Sequence, residues 1–228
     1  MTKKIVLVFF AVLFLSSCFW SSGESWQSSN SNSDMIDSQE SMQIFALWDS
    51  LTAGYWLPVE DSYPSILQWL LDENFWNYQV INAWVSWNTS AELQSRLDWV
   101  LSDAEPWDIA ILVIGGNDWL RGMSLNDLES NVISIIDILL DNDMSVVLWG
   151  MQIPPNLWLS YTREFESLYW NIAQEYRDIY FMEFFLDEVA ANPSLNLPDM
   201  IHPNRDWYKI VAQNVYDFLV SNNLVWLR

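Results

Sequence analysis

A serine closing a short apolar run, a single histidine and a glycine-flanked asparagine are the residues of this chain whose types and spacing could do chemistry together. Ser50 stands in Trp48-Asp49-Ser50-Leu51, directly after the apolar run 44–47 and before Thr52-Ala53-Gly54-Tyr55. That is where an open α/β sheet presents a nucleophile to its crevice. His202 is the sole histidine of 228 residues, so any imidazole base working near neutral pH must be His202. Asp199, three residues earlier, can fold back on one ring nitrogen and leave the other to take a proton from a hydroxyl. An Asp-x-x-His pair alone is weak evidence, because acids lie near many surface histidines by chance. Beside Ser50 it gains force.

Two further segments could supply hydrogen-bond donors. Gly115-Gly116-Asn117-Asp118 follows the apolar run 109–114. Its glycines permit close backbone approach, and the Asn117 side chain can donate toward a developing oxyanion. The same four residues also suit a plain β-turn. Residues 82–90, Asn-Ala-Trp-Val-Ser-Trp-Asn-Thr-Ser, lead into a helix capped by Thr89 or Ser90, and the backbone N–H of Trp87 is a second donor.

Short β-rich runs alternate with helical patterns from residue 43 onward, which argues for βαβ units, a mostly parallel sheet and an α/β fold. The strand candidates are 43–47, 78–82, 109–114, 145–148 and 179–182. Leu125, Leu128, Val132, Ile135, Ile136 and Leu139 recur at helical spacing, as do Ile210, Val211, Asn214, Val215 and Phe218; both stripes read as core faces. Further helices are expected at 62–73, 90–102 and 161–175. There is no internal repeat.

The N-terminus has the composition of an export signal: Lys3 and Lys4, then the apolar run 5–15, too short to span a bilayer permanently. It ends in Leu15-Ser16-Ser17-Cys18, which resembles the bacterial lipobox, in which the cysteine is lipidated and becomes the mature N-terminus. An ordinary signal with an incidental cysteine is the alternative. Cys18 is the only cysteine, which excludes an intrachain disulfide and a cysteine-based metal cluster. The expected organisation is a signal over 1–17, a flexible Ser/Asn-rich tether over 18–42 that cannot bury enough apolar surface to order itself, and one domain over 43–228. The formal charge of −21 repels nucleic-acid phosphates and disfavours docking on anionic lipid. Membrane attachment is therefore expected through the anchor alone. The acidity otherwise serves solubility.

In order and spacing, the four segments resemble the blocks of the SGNH hydrolase superfamily, also called GDSL esterases. Trp48 to Leu51 correspond to the first block, residues 82–90 to the second, Gly115 to Asp118 to the third and Asp199 to His202 to the last. Asp49-Ser50-Leu51-Thr52-Ala53-Gly54-Tyr55, Leu120-Arg121-Gly122, Met151-Gln152-Ile153-Pro154-Pro155-Asn156 and Ile201-His202-Pro203-Asn204 are similar to strings of its bacterial arylesterase, thioesterase and lysophospholipase subgroup. The resemblance implies a three-layer α/β/α flavodoxin-like sandwich with a five-stranded parallel sheet. It also implies hydrolysis of acyl esters, lysophospholipids or thioesters without metal or cofactor. By position Ser50 is the nucleophile, His202 the general base and acid, and Asp199 the orienting acid. The oxyanion hole falls to the N–H groups of Ser50 and Trp87 and the amide of Asn117. A monomer acting on a small acyl ester or lysolipid at the cell envelope is expected. A carbohydrate acetyl esterase on the same fold and a non-catalytic binding lipoprotein are the alternatives.

One departure is systematic. Trp48, Trp84, Trp87, Trp119, Trp149, Trp158 and Trp207 stand where the subgroup typically carries glycine or another small turn residue. The chain has 16 Trp and only 6 Gly, against an ordinary glycine share of about 7%. Forcing a bulky residue into left-handed backbone costs roughly 1–2 kcal/mol, and an indole in a glycine-sized space about 1–3 kcal/mol more. The pattern suggests a gene that uses UGA for glycine, read with a table that assigns UGA to tryptophan. A genuine Trp-rich surface that stacks on sugars or lipids is the alternative.

Overall fold

The computed structural model describes residues 41–47, 57–75, 77–83, 85, 87–153, 159–183, 192–195 and 204–226, all within a compact unit spanning Gln39–Arg228. The proposed signal and tether lie outside the described residues. So do Cys18, Trp48, Ser50, Trp84, Trp158, Asp199 and His202.

Five parallel strands form one sheet in the order β2-β1-β3-β4-β5: β1 (Met42–Leu47), β2 (Tyr78–Asn82), β3 (Ile109–Leu112), β4 (Ser145–Trp149) and β5 (Tyr180–Met182). All four residues of β3, Ile-Ala-Ile-Leu, are buried, as a central parallel strand covered on both faces requires. Strand β5 at the sheet edge is only half-buried throughout.

The helices are α1 (Tyr63–Asn74), α2 (Ser90–Val100), α3 (Gly116–Leu120), α4 (Leu125–Asp141), α5 (Leu159–Glu175) and α6 (Arg205–Ser221). Helices α1 and α6 pack together, while α4 packs against both α2 and α5. The topology accounts for this grouping. The β1-to-β2 crossover runs toward one edge and the later crossovers toward the other, so right-handed connections put their helices on opposite faces. The apolar stripes face the core: Leu128, Val132, Ile135, Ile136 and Leu139 of α4 are buried and Leu125 half-buried, and Val211 and Val215 of α6 are buried. Ile210, Asn214 and Phe218, also expected on the α6 stripe, are only half-buried.

The five expected strands and five expected helices are all present; β2 keeps its expected bounds, and the other stated ends shift by at most two residues. Strand β3 stops at Leu112 rather than residue 114. The chain then turns at Gly115 into α3, a helix the sequence reading did not anticipate. Because the chain leaves β1 toward β2 and leaves β3 toward β4, the crevice opens at the carboxyl ends of β1 and β3. There the Val113 N–H donates to the Leu47 carbonyl (3.1 Å) and the Ala83 N–H to the Ala46 carbonyl (3.2 Å).

Candidate active site

Two segments meet beside this crevice. The first is the turn from β3 into α3. Gly115 caps α3 with φ +120°, a conformation L side chains rarely adopt. A Cβ there would also run into the Tyr169 hydroxyl, which donates instead to the Ile114 carbonyl at 2.6 Å. This turn buries Asn117 and Asp118 at 2% and 1% exposure. The plain β-turn alternative is thereby replaced by a short helix start.

The second segment is the entry into α2. Thr89 is its N-cap and forms a complete capping box: the Glu92 N–H donates to the Thr89 hydroxyl (3.4 Å) and the Thr89 N–H to the Glu92 carboxylate (2.7 Å). The Thr89 N–H above all, then the Thr89 hydroxyl donating to the same carboxylate (3.0 Å) and Arg121, lower the Glu92 pKa below its ordinary range. Just upstream, Trp87 sits in left-handed backbone at φ +67°. Its carbonyl accepts from Arg121 Nη2 at 2.6 Å.

Buried hydrogen bonds join the segments. Asn117 Nδ2 donates to the Asn88 carbonyl at 2.9 Å. That bond uses one amide hydrogen and fixes the direction of the other. The Asp118 carboxylate accepts from the Ser90 N–H (2.9 Å) and the Ser90 hydroxyl (2.6 Å), and Asn131 Nδ2 donates to Ser90 Oγ (2.9 Å). Tyr161 borders the cluster. Burial pushes its phenol upward, and the Asp118 charge adds to this.

Of the expected site residues, the structure thus brings together Asn117 and Trp87; Ser50, Asp199 and His202 lie outside the described residues. Beyond the His202 motif, Asn204 caps α6, its side chain accepting from the Asp206 and Trp207 N–H groups (3.0 and 3.1 Å). Its Nδ2 donates to the Ser194 carbonyl at 2.7 Å. Asn88, Asn131 and Arg121 have no role legible in the sequence, because a polar side chain in a loop or on a helix carries no local signal for a partner tens of residues away.

Residues 46–210 match the model of the GDSL-like lipase/acylhydrolase family. The chain belongs to that family. It is an ester hydrolase with the family's α/β fold. It is 33% identical over 185 residues to an arylesterase of Vibrio mimicus, covering 81% of this chain and 92% of that protein. It is 31% identical to thioesterase 1/protease 1/lysophospholipase L1 of Escherichia coli K12, covering 74% and 79%. The crystal structure of TesA superposes with a TM-score of 0.74 at 29% identity, covering 81% of this chain and all of that one. No helix among the described residues is long and apolar enough to cross a membrane.

Proposed function

We propose that the chain is a lipid-anchored serine esterase that cleaves acyl esters, lysophospholipids or thioesters. The observation that carries this reading is the amide of Asn117, buried at the start of α3 with one hydrogen committed to the Asn88 carbonyl. Its second hydrogen is left as a preset donor beside the left-handed turn at residue 87. Donors fixed before the reaction stabilise a developing oxyanion without reorganising. Names of relatives at 31 and 33% identity agree on the reaction class.

In this mechanism Ser50 Oγ attacks the acyl carbonyl while His202, oriented by Asp199, takes the hydroxyl proton. The carbonyl oxygen becomes an oxyanion held by the N–H groups of residues 50 and 87 and by the Asn117 amide. Collapse breaks the ester bond, and His202 passes its proton to the departing alkoxide or thiolate. Water then repeats the sequence on the acyl-enzyme to release the carboxylic acid. Lipidated Cys18 would hold the domain at the cell envelope through the 18–42 tether. The test is Ser50→Ala against p-nitrophenyl acyl esters of graded length and acetylated sugars. Loss of all cleavage is expected, and undiminished turnover in that variant removes the mechanism.

A further inference from the structure

We propose that Asp118 is a positioning residue for the oxyanion donors, an assignment that rests on the esterase reading above. Asp118 is a carboxylate at 1% exposure with two recorded acceptor bonds, both to Ser90. Burying a carboxylate is costly unless its oxygens are bonded, so the site retains it against a penalty. The Thr89–Glu92 capping box meets the N–H groups of residues 89 and 92, and Asp118 meets the buried N–H of Ser90, one of the donors a helix start leaves unpaired. Any acceptor would serve that need; what Asp118 adds is location. It and its neighbour Asn117 grip residues 90 and 88 respectively, across 28 and 29 positions of sequence. Two successive residues on one helical turn, bonded to two residues of one cap, lock the 87–90 segment to α3. The side-chain donor of Asn117 and the backbone donor of residue 87 then belong to one frame. The half-buried Asn131 bond to Ser90 Oγ ties that frame to α4.

Kinetics of Asp118→Ala, Asp118→Asn, Ser90→Ala, Asn117→Ala and the double variant Asp118→Ala/Asn117→Ala on a p-nitrophenyl acyl ester, normalised to folded enzyme, test this. Misplacing a reacting group by about 1 Å costs on the order of 10²-fold, so Asp118→Ala is expected to lower kcat by about 10–100-fold with KM little changed. Asp118→Asn, which keeps one acceptor for Ser90, recovers part of the loss, and Ser90→Ala loses less than Asp118→Ala. In the Asn117→Ala background the Asp118 substitution adds little, as expected for groups acting through one another. The same factor in both backgrounds, or a lowered melting temperature with kcat unchanged, overturns the proposal. Ser90→Ala decides it should Asp118→Ala fail to fold. If Asn117→Ala itself turns over normally, the esterase mechanism falls first.

The backbone carries a second inference independently: we infer that residues 87 and 107 are glycine in the natural chain. Among the described residues, the non-glycine positions with positive φ are Asn77 (91°), Trp87 (67°), Trp107 (78°), Asp143 (55°) and Asn223 (56°). Asn and Asp are the types whose short polar side chains tolerate this region, and a bulky side chain there is a genuine outlier. Both tryptophans are exposed, at 47% and 73%, so neither indole is a core anchor that would call for a tryptophan there. The surroundings impose the turns: Arg121 holds the Trp87 carbonyl (2.6 Å), and the Trp107 N–H donates to the Asp143 carbonyl (2.9 Å). With 16 Trp and 6 Gly, the economical account is a UGA codon decoded as glycine in the source organism. Codons 87 and 107 are expected to be UGA, and tryptic peptides of the native protein to carry glycine mass at both positions. Trp87→Gly and Trp107→Gly in the written chain are expected to raise Tm by about 2–4 °C each. UGG codons with tryptophan in native peptides overturn the inference.

Discussion

Two buried aspartates stand at opposite ends of the same strand and use similar chemistry for different purposes. Asp108, 2% exposed and immediately before β3, accepts from the Gln43 N–H (2.7 Å) and the Glu105 N–H (2.8 Å). Its own carbonyl takes the Ser145 N–H at 2.8 Å. All three donors are backbone groups at the amino-terminal edge of the sheet, so Asp108 sets where β1, β3 and β4 begin. Asp118, past the carboxyl end of β3, accepts both its bonds from one residue of a helix cap. A parallel α/β sheet thus places equivalent buried carboxylates at its two ends, and the crevice opens beside only one of them.

The sharpest separation of the two ends is in what is lost when each is damaged. Asn117→Ala at the crevice end is expected to lower kcat by about 10²–10³-fold, the usual cost of an oxyanion donor, with Tm nearly unchanged. Stopped assays alongside thermal melts check this. Asp108→Ala is expected to do the reverse. Two amide donors lose their acceptor, at about 1–3 kcal/mol for each one left buried and unmet, so Tm drops by several degrees while turnover per folded molecule is kept. A large kcat loss in Asp108→Ala would erase the distinction. The smallest effect concerns the cap that both site segments share. The Glu92 pKa is lowered in the folded chain, chiefly by the Thr89 N–H, so its contribution to stability is present above the unfolded value and is lost as pH falls through the folded one. The Tm gap between the parent chain and Glu92→Gln should therefore narrow from pH 7 to about pH 3. Half-exposure of the Glu92 side chain keeps that gap small.

The strands and the long helices were legible because burial stamps a periodicity on them: four successive apolar residues in β3, a 3.6-residue stripe in α4. Helix α3 was not legible. Five residues beginning with glycine have little intrinsic helical tendency, and what forms the helix is a turn shaped by Tyr169 and held through Asp118 by Ser90. Within the site, Asn117 and residue 87 were read as donors from their place after strands β3 and β2. The partners that orient them, Asn88, Ser90 and Arg121, depend on pairings between segments about 30 residues apart, which local pattern does not encode. Trp107 escaped the set of seven tryptophans at glycine positions because it lies between motifs. Only its backbone dihedral singles it out.

The bond from Tyr169 to the Ile114 carbonyl reaches across 55 positions of sequence. Its hydroxyl fills the space that a side chain at residue 115 would need. The turn that presents Asn117 is therefore completed by a helix made only after α4 and β4, and contacts of such separation form late because loop closure precedes their reward. On a ribosome, β1 to β3 can pair while the turn at Gly115 is still unfinished. The turn is finished only once α5 has docked, so a partly made chain carries the central strands of the sheet without the completed turn beside its crevice.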